Sequence, residues 1–321
     1  MSGKPLEPSS VKNILVFSHS NIGDVVASCP VLDVLCRDFP SARVNVIVGP
    51  RAATLLEGNP RLRVTVYDKH MPWPDQCRWF LALRRERFDL IVDLRHTILP
   101  FVLRARARTP LQMPSREHMV RKHLDRLRTV HHFSDENVPR TAIVPKPLAH
   151  DVLPKGRFVV IAPSAADSAK RWTADGFVEV ADFIVGQGMA VVFTGGAAET
   201  GLIEGMRRRM KNPPAGEAGP SLSLVGRLDL RELAFVLGKA AFAVVHDSGA
   251  MHIACYFGVP VIALFGPTDD TKSGPRDPKS VVIRRNGSCP RCLNPQSHVP
   301  HQCMAAIQAQ DVIDVIQNKF L

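Results

Sequence analysis

The sequence predicts an α/β protein with two doubly wound domains. Short apolar runs alternate with helical stretches along most of the chain. Runs that are apolar at nearly every position are typical of parallel strands that helices cover on both faces. The alternation restarts after a proline-rich segment, PRTAIVPKPLAHDVLP at 139–154, which predicts a linker. A length of 321 residues accommodates two such domains.

These signals divide the chain into segments. The polar start at 1–11 is expected to be a disordered leader. The first domain is expected at 12–150 and the second domain at 151–310. The last helix, at 311–321, is expected to pack back on the first domain.

The first domain is expected to contain buried strands separated by helices. The strands are the runs NILVFS, RVNVIV, RVTVY and FDLIVDL, at 13–18, 43–48, 63–67 and 88–94. The helices are expected at 25–38, 51–57, 77–87 and near 98–106. A basic segment, 116–130, predicts an exposed helix or a loop with helical turns.

The second domain repeats the pattern. Its strands are expected at 157–162, 190–194, 223–225, 242–245 and 261–265. Its helices are expected at 174–187, 199–211, 230–239 and 250–257. Ligands of such sheets bind beyond the carboxyl ends of the strands, so the loops there are the candidate site, and two such domains predict a cleft between them.

Composition narrows the class of protein. The net charge of +11 and a pI near 9.6 favour an acidic partner, which leaves a nucleotide, an anionic membrane surface and a nucleic acid open. The sequence contains no run of 18 apolar residues and its start lacks an apolar signal segment, so a cytoplasmic location is expected. Seven cysteines form no pattern typical of secreted disulfides.

The most informative stretch is 241–275, AFAVVHDSGAMHIACYFGVPVIALFGPTDDTKSGP. It predicts a strand, a tight turn, a helix, a second strand and a loop. Asp247 and Ser248 are residue types that cap helices, and Gly249 allows a ligand to approach the backbone closely. The start of the helix can therefore bind an anion such as a diphosphate. An ordinary capped turn explains the same three residues equally well.

Two further loops carry charged candidates. Asp24 opens a helix directly after the first strand, where a carboxylate serves either as a general base or as an N-cap. Lys170 and Arg171 follow the first strand of the second domain, where two cations suit a phosphate. An exposed basic loop is the alternative for this pair.

Glu199 follows the turn Gly195-Gly196 after AVVFT. It is a candidate to bind a ribose hydroxyl, or else an acid favoured by the helix dipole. The sequence matches neither the dinucleotide fingerprint nor a P-loop, and it lacks the motifs of serine hydrolases and zinc proteases.

A Cys/His cluster near the end of the chain resembles a set of metal ligands. Its members are Cys289, Cys292, His298, His301 and Cys303. The irregular spacing leaves three interpretations open: a structural zinc, a loop of reduced thiols and an adventitious disulfide. No other metal site is predicted.

Taken in order, these pieces resemble the ADP-heptose:lipopolysaccharide heptosyltransferases, glycosyltransferase family 9. ILVFSHSNIGDVVASCPVL resembles the family's first strand, Gly-Asp signature and Pro-x-Leu helix. VVHDSGAMHIACYFGVPVIALFGPTDD resembles its D-[ST]-G-x-x-H block, and SAADSAKRW resembles its phosphate-lysine segment. CPRC and QCM resemble the Cys-rich tail of the heptosyltransferase II branch, although a further middle cysteine is missing here.

The resemblance implies a GT-B fold, in which two Rossmann-like, doubly wound domains face a central cleft. It implies an inverting glycosyl transfer that needs no metal and no other cofactor. Asp24 would deprotonate the acceptor hydroxyl, and Lys170 with Arg171 would neutralise the leaving diphosphate. The amides of Ser248 and Gly249 would hold that diphosphate.

Further roles follow from the same resemblance. Asp247 would contact the donor sugar or order the turn, and His252 would support the turn or reach the phosphates. Glu199 would bind the ribose and Leu228 would line the adenine pocket. The first domain would then bind the acceptor and the second the nucleotide sugar.

The resemblance also implies the partners. ADP-heptose would be the donor, and a lipid-linked oligosaccharide, the acidic inner core of lipopolysaccharide, would be the acceptor. The basic helix at 78–87, together with Arg104, Arg106 and Arg108, would meet that acceptor or the inner membrane face, as a peripheral contact. No nucleic-acid partner is expected.

Competing interpretations remain at this stage. The same fold could use a UDP- or GDP-linked sugar, or could be a sugar-nucleotide epimerase, which needs acid and base groups on both faces of the donor. A basic nucleic-acid-binding protein built around a Cys/His knuckle is the alternative outside the enzymes. It lacks support from any interleaving of aromatic and basic residues.

Overall fold

The structure, a computed structural model, describes residues 7–111, 117–211, 219–285, 287, 289–294, 296 and 300–321. The chain divides into two compact units, Met1–Val144 and Pro145–Leu321. This division falls inside the proline-rich segment 139–154, a few residues before the boundary expected from the sequence.

The described residues of the first unit form a five-stranded parallel sheet in the order β3-β2-β1-β4-β5. The strands are β1 (Asn13–Phe17), β2 (Arg43–Val48), β3 (Leu62–Val66), β4 (Arg87–Asp93) and β5 (Arg104–Arg108). The helices are α1 (Ile22–Asp38), α2 (Ala53–Leu56), α3 (Trp73–Arg85), α4 (Leu99–Val102) and α5 (Met119–Arg128). β2 and β3 lie on one side of β1, and β4 and β5 lie on its other side. The switch point between β1 and β4 is where a ligand site is expected in such sheets.

The first unit differs from the sequence prediction in three places. Residues 8–10 form a short 3-10 helix and Val11 is fully buried, so the part of the leader that is described is ordered. The alternating RARAR segment, expected as the end of a helix, is the edge strand β5. Helix α5 is not simply exposed, because His123, Arg126 and Leu127 are buried.

The described residues of the second unit form a six-stranded parallel sheet in the order β11-β10-β9-β6-β7-β8. The strands are β6 (Phe158–Ala162), β7 (Ala190–Phe193), β8 (Ser221–Ser223), β9 (Phe242–His246), β10 (Val261–Phe265) and β11 (Val281–Arg284). The helices are α6 (Ala174–Gly186), α7 (Thr200–Arg209), α8 (Leu230–Lys239), α9 (Gly249–Tyr256), α10 (Asp270–Ser273), α11 (Pro290–Leu293) and α12 (Ala309–Lys319). Counted from the first strand of the unit, this order is that of the Rossmann fold, with the switch point between β6 and β9.

The C-terminal helix α12 belongs to the second unit. Val312 and Ile316 are fully buried in that unit's core, and the Phe320 ring lies 4.4 Å from the ring of Phe242. The expectation that this helix also packs back on the first domain stays a prediction. Its apolar stripe covers α6 and β11, whose own apolar residues would otherwise face water.

Candidate functional site

Lys170 and Asp247 meet at the switch point of the second sheet. Lys170 ends a 3-10 helix in the loop after β6, and Asp247 directly follows β9. The Lys170 ammonium nitrogen lies 2.7 Å from Asp247 Oδ2. The Asp247 carboxylate is only 8 % exposed, whereas Lys170 is 24 % exposed. The ion pair thus joins the two loops at the position where a Rossmann-like sheet binds its ligand.

The loop that carries Lys170 is held by its own polar groups. Asp167 accepts a hydrogen bond from the Ala169 amide at 2.9 Å and so begins the 3-10 helix. Arg171 donates through Nε to the Ala165 carbonyl at 2.8 Å. Of the two predicted phosphate cations, Arg171 is therefore engaged with the backbone, and Lys170 is engaged with Asp247.

The amino end of α9 has hydrogen-bond donors without a partner inside the helix. Ser248 occupies the N-cap position, but its side chain makes no capping hydrogen bond. By helix geometry the first amides of α9, beginning with Gly249, have no acceptor inside the helix. The Ser248 and Thr268 hydroxyls are buried and make no hydrogen bond to the part of the chain that the structure describes. These amides and the Ser248 hydroxyl can donate to an anion.

Ser248 is the N-cap residue, but no capping hydrogen bond from its side chain is present, and the Asp247 carboxylate pairs with Lys170 instead of capping the helix. Its other oxygen, Oδ1, lies 3.9 Å from His252 Nε2. The family resemblance predicted that His252 supports the turn or reaches the phosphates. The structure brings Lys170, Asp247, Ser248, Gly249 and His252 together at one edge of the second sheet.

A buried histidine and tryptophan lock this edge. The Trp172 amide donates to His246 Nε2 at 2.9 Å, and the Trp172 indole N–H donates to the Ile307 carbonyl at 2.9 Å. Burial lowers the pKa of His246 to about 4, with a backbone hydrogen bond at Ser164 opposing the shift and the Arg171 charge adding to it. The neutral imidazole is therefore the acceptor that ties β9 to the Lys170 loop.

Glu199 and Leu228 lie farther along the same edge. Glu199 ends a short 3-10 helix after β7, and its Oε2 is 3.0 Å from the position that a Cβ of Gly196 would take. Leu228 is half-buried in the loop after β8. The two loops touch, because the Gly226 amide donates to the Gly195 carbonyl at 2.9 Å. Gly226 has φ of +67° and its missing Cβ would meet Ala197, so only glycine permits this approach.

Asp24 lies in the first turn of α1, at the switch point of the first sheet. Asn21 is the N-cap residue and donates through its side chain to Asp24 Oδ2 at 3.1 Å. The N-cap interpretation of Asp24 was therefore wrong. A half-buried carboxylate held by one amide retains free lone pairs with which to accept a proton.

The surroundings of Asp24 contain two neutral histidines that the sequence analysis did not single out. His19 and His123 share a hydrogen bond between their Nε2 atoms at 3.3 Å. Burial, with a smaller contribution from the neighbouring His19, lowers the pKa of His123 to about 3. Burial also lowers the pKa of His19, while the Asp24 carboxylate opposes that shift. The two histidines therefore form an uncharged polar pair near the Asp24 carboxylate.

A buried arginine fixes the loops near the His19–His123 pair. Arg126 on α5 is 1 % exposed and donates to the carbonyls of Asp93 and Pro110 and, at 2.8 Å, to His96 Nδ1. His96 has a positive φ of 58°, which is uncommon for a residue other than glycine. The loops after β4 and β5 are therefore positioned by one guanidinium group, and the sequence gives no sign of this because Arg126 is one of several basic residues in its helix.

The predicted Cys/His cluster is assembled in part. The ligand atoms of Cys289, Cys292, His301 and Cys303 all lie within 4.8 Å of one another. His298 lies outside the described residues.

No helix within the described ranges is both long and apolar enough to cross a membrane.

With both edges described, the comparison with known proteins decides the family. The sequence profile of glycosyltransferase family 9 (heptosyltransferase) matches residues 101–302, more than half of the chain. The chain belongs to glycosyltransferase family 9. The family predicted from the motifs is confirmed, and the protein is a glycosyltransferase.

Individual members of the family match across nearly the whole chain. Lipooligosaccharide heptosyltransferase 2 of Campylobacter jejuni is 24% identical over 315 residues, which span 92% of this chain and 96% of that protein. The structure of a family 9 glycosyltransferase from Veillonella parvula superposes with a TM-score of 0.78, at 19% identity and 99% coverage of both chains.

Escherichia coli heptosyltransferase WaaC with ADP-2-deoxy-2-fluoro heptose superposes with a TM-score of 0.72, at 17% identity, over 95% of this chain and 99% of that one. At such identities the likeness shows the fold alone, and it confirms the predicted GT-B class with its two Rossmann-like units.

The shifted pKa of His246 predicts a pH dependence of stability. Its folded pKa of about 4 is below the usual value of 6.5, so folding favours the neutral form. The stabilisation is fully present above about pH 6.5 and is lost as the pH falls toward about 4, a change of about 3 kcal/mol.

His246→Gln keeps an acceptor for the Trp172 amide but removes the titration. Urea unfolding between about pH 4 and pH 7 should therefore show a flatter stability profile for H246Q than for the wild type. Replacing the exposed His132 with Gln is the matched control and should leave the profile unchanged. Parallel profiles for H246Q and wild type would contradict a neutral buried His246.

Proposed function

We propose that this glycosyltransferase moves heptose from ADP-heptose to the inner core of lipopolysaccharide, with inversion and without a metal ion in the transfer step. The observation that carries the proposal is the meeting of Lys170 with the open start of α9 at the switch point of the second sheet. That arrangement supplies a cation, backbone amides and a buried hydroxyl, which are the groups that a departing diphosphate needs.

The donor would bind along the carboxyl edge of the second sheet. The amides at Ser248 and Gly249 would hold the diphosphate, with Lys170 neutralising it. Glu199 would bind the ribose and Leu228 would line the adenine pocket, since they follow β7 and β8, the two strands on one side of β6. The Escherichia coli WaaC structure with ADP-2-deoxy-2-fluoro heptose holds an ADP-linked sugar, and this favours ADP over other nucleotides as the leaving group.

The transfer itself would follow from two groups. Asp24 would accept the proton of the acceptor hydroxyl, whose oxygen forms a bond to the anomeric carbon of heptose. The bond from that carbon to the diphosphate oxygen breaks, and its electron pair leaves with ADP. Attack from the face opposite the leaving group inverts the anomeric centre. Neither step requires a nucleophile on the protein or a metal ion.

Asp247 would position Lys170. A buried carboxylate beside the diphosphate would repel it, so a direct role in phosphate binding is unfavourable. Pairing with Lys170 keeps the ammonium group at the mouth of the site, and His252 would meet either the same carboxylate or the phosphates. Arg171, which bonds the Ala165 carbonyl, would contribute charge at longer range.

The acceptor would bind the first unit and would be acidic. Arg95 and Lys122 both lower the pKa of His19 and therefore lie near Asp24, where positive charge can meet the carboxylates and phosphates of an inner core. Curated relatives such as the Campylobacter jejuni protein carry lipooligosaccharide in their names, which favours the same class of acceptor.

A peripheral contact with an anionic membrane would bring the enzyme to this lipid-linked acceptor. Helices α3 and α4 pack on one core cluster through Trp79, Phe80, Leu83 and Leu99, so both cover the same face of the first sheet. Trp73, the first residue of α3, is 74 % exposed, and Ile98, the N-cap residue of α4, is 66 % exposed. Exposed Arg78, Arg84 and Arg85 accompany them. Aromatic and apolar side chains flanked by arginine suit the headgroup region of a bilayer.

Nucleotide selectivity tests the donor directly. Thermal-shift measurements with ADP, UDP and GDP, followed by ADP-heptose, should show the largest rise in melting temperature with the adenine compounds, because bound ligand stabilises the folded state. Stabilisation by UDP without any by ADP would show that the donor is misassigned.

The ion pair can be tested without leaving a buried charge. Lys170→Ala alone strands the Asp247 carboxylate, so the double variant K170A/D247N is preferable. We expect it to fold but to lose roughly 30- to 1,000-fold in kcat/KM, the cost of about 2–4 kcal/mol of lost charge stabilisation. K170R should retain much of the activity, and D247N alone should fall between. Near wild-type turnover in the double variant would argue against Lys170 as the diphosphate cation.

Asp24→Asn keeps the shape of the side chain and a partner for Asn21 but cannot accept the proton. Turnover should drop by roughly 10²- to 10⁴-fold while the affinity for ADP, measured by calorimetry, stays unchanged. Asn21→Ala is the control that removes only the positioning hydrogen bond, and it should have a much smaller effect. An active D24N enzyme would exclude Asp24 as the base.

Charge reversal tests the membrane contact. R84E/R85E should weaken binding to vesicles that contain anionic lipid by roughly 30-fold or more, because each basic residue contributes about 1 kcal/mol at such a surface. R276E/K279E, which makes the same change of charge at exposed positions of the second unit, should bind like the wild type. Equal weakening by both variants would indicate an effect of net charge alone.

A further inference from the structure

Three cysteines and a histidine converge near the edge of the second sheet, outside the residues assigned to transfer. Cys289 is the N-cap residue of α11 and Cys292 lies in that helix, so one helical turn presents both sulfurs on the same side. His301 and Cys303 come from the segment that follows. Cys289 and Cys303 are buried, so this is not a loose surface cluster.

The separations are those of ligands around one ion. Cys292 Sγ lies 3.7 Å from Cys303 Sγ, and His301 Nδ1 lies 3.5 Å from Cys292 Sγ and 3.9 Å from Cys289 Sγ. A tetrahedral zinc with Zn–S of about 2.3 Å and Zn–N of about 2.0–2.1 Å places two sulfurs about 3.8 Å apart, and sulfur and nitrogen about 3.6 Å apart. These three separations match a tetrahedral site, and all four donor atoms lie within 4.8 Å of one another, so a shift of about 1 Å or less would complete it.

We propose that Cys289, Cys292, His301 and Cys303 bind a single structural zinc ion. Three sulfurs and one imidazole are a ligand set typical of closed, structural zinc sites, which keep no position for substrate. The Gln302 amide lies 3.3 Å from Cys289 Sγ and donates to it, the kind of outer contact that orients a thiolate ligand. The cysteine that the family tail usually has between these residues is not needed, because His301 supplies the fourth donor.

A disulfide fits the geometry less well. A bond between Cys292 and Cys303 requires a sulfur separation of about 2.05 Å, far below the 3.7 Å between them. It would also leave Cys289 and His301 without a reason to converge on the same point.

The ion would support the donor site through the segment that follows Cys303. Met304 lies against Gly266, where an added Cβ would come within 2.9 Å of its Cγ and Sδ. Three residues later, the Ile307 carbonyl accepts the Trp172 indole hydrogen bond. Trp172 in turn follows Lys170 and Arg171. Fixing this segment would therefore hold the loop that carries Lys170, a consequence that rests on the proposed donor site.

Metal analysis of the full-length protein tests the site without any variant. Elemental mass spectrometry should find one zinc per chain in protein that is purified without chelators. Exchange for cobalt should give thiolate-to-cobalt charge-transfer bands and the visible bands of tetrahedral cobalt. His301→Cys keeps four ligands and should still bind one metal, whereas Cys303→Ser should lose it and melt at a lower temperature. Cys77→Ser, outside the cluster, should keep both metal and melting temperature.

Several results would overturn the proposal. The first is a protein that contains no metal as purified and also fails to bind added zinc or cobalt. The second is stoichiometric iron in place of zinc. The third is an intact mass lower by two hydrogens, which would report a disulfide. Zinc retained equally by C303S and wild type would place the ion elsewhere. Affinity for ADP is a separate readout. If the cluster binds metal but C303S keeps the wild-type affinity for ADP, only the link to the donor site is contradicted. If the wild type does not bind ADP, only the proposed function is contradicted.

Discussion

The ion pair between Lys170 and Asp247 joins two loops that leave the sheet in opposite directions at its switch point. Removing a carboxylate from water is costly, and Asp247 is almost entirely buried, so the pairing mainly offsets that cost and contributes little net stability. Its effect is geometric. It holds an ammonium group above the start of α9, and a diphosphate arriving there would share Lys170 with a carboxylate that is already in place.

Neutral buried groups make this geometry rigid. His246 accepts the Trp172 amide only in its uncharged form, and burial keeps it so. The first unit uses a different device at its own switch point, where the Arg126 guanidinium is satisfied by carbonyls and a histidine nitrogen. In both units, loops at the carboxyl edge of the sheet are fixed by a buried polar side chain whose partners lie far away in the sequence.

The sequence was sufficient for features that depend on local pattern. Uniformly apolar runs gave most of the strands, and the turn Asp247-Ser248-Gly249 was recognised together with Lys170 because each follows a strand. Long-range contacts escaped it. The alternating arginines of β5 did not predict a strand, because its pairing with β4 depends on the rest of the sheet. Arg126 is buried although it is one of several basic residues in its helix. The side chain of Asp247 favours capping in isolation, but a lysine 77 positions earlier in the chain overrides that preference. The roles of Asp24, Glu199 and Leu228 stay predictions, because the structure gives their positions and not their ligands.

A crystal structure of the protein with ADP tests the proposed diphosphate site most directly. We expect the terminal phosphate at the start of α9, with its oxygens about 2.7–3.2 Å from the Gly249 amide and from the Lys170 ammonium nitrogen. The adenosine should then extend toward Glu199 and Leu228. A diphosphate bound away from α9, or bound there with Lys170 still turned only to Asp247, would contradict the proposed roles of Lys170 and α9.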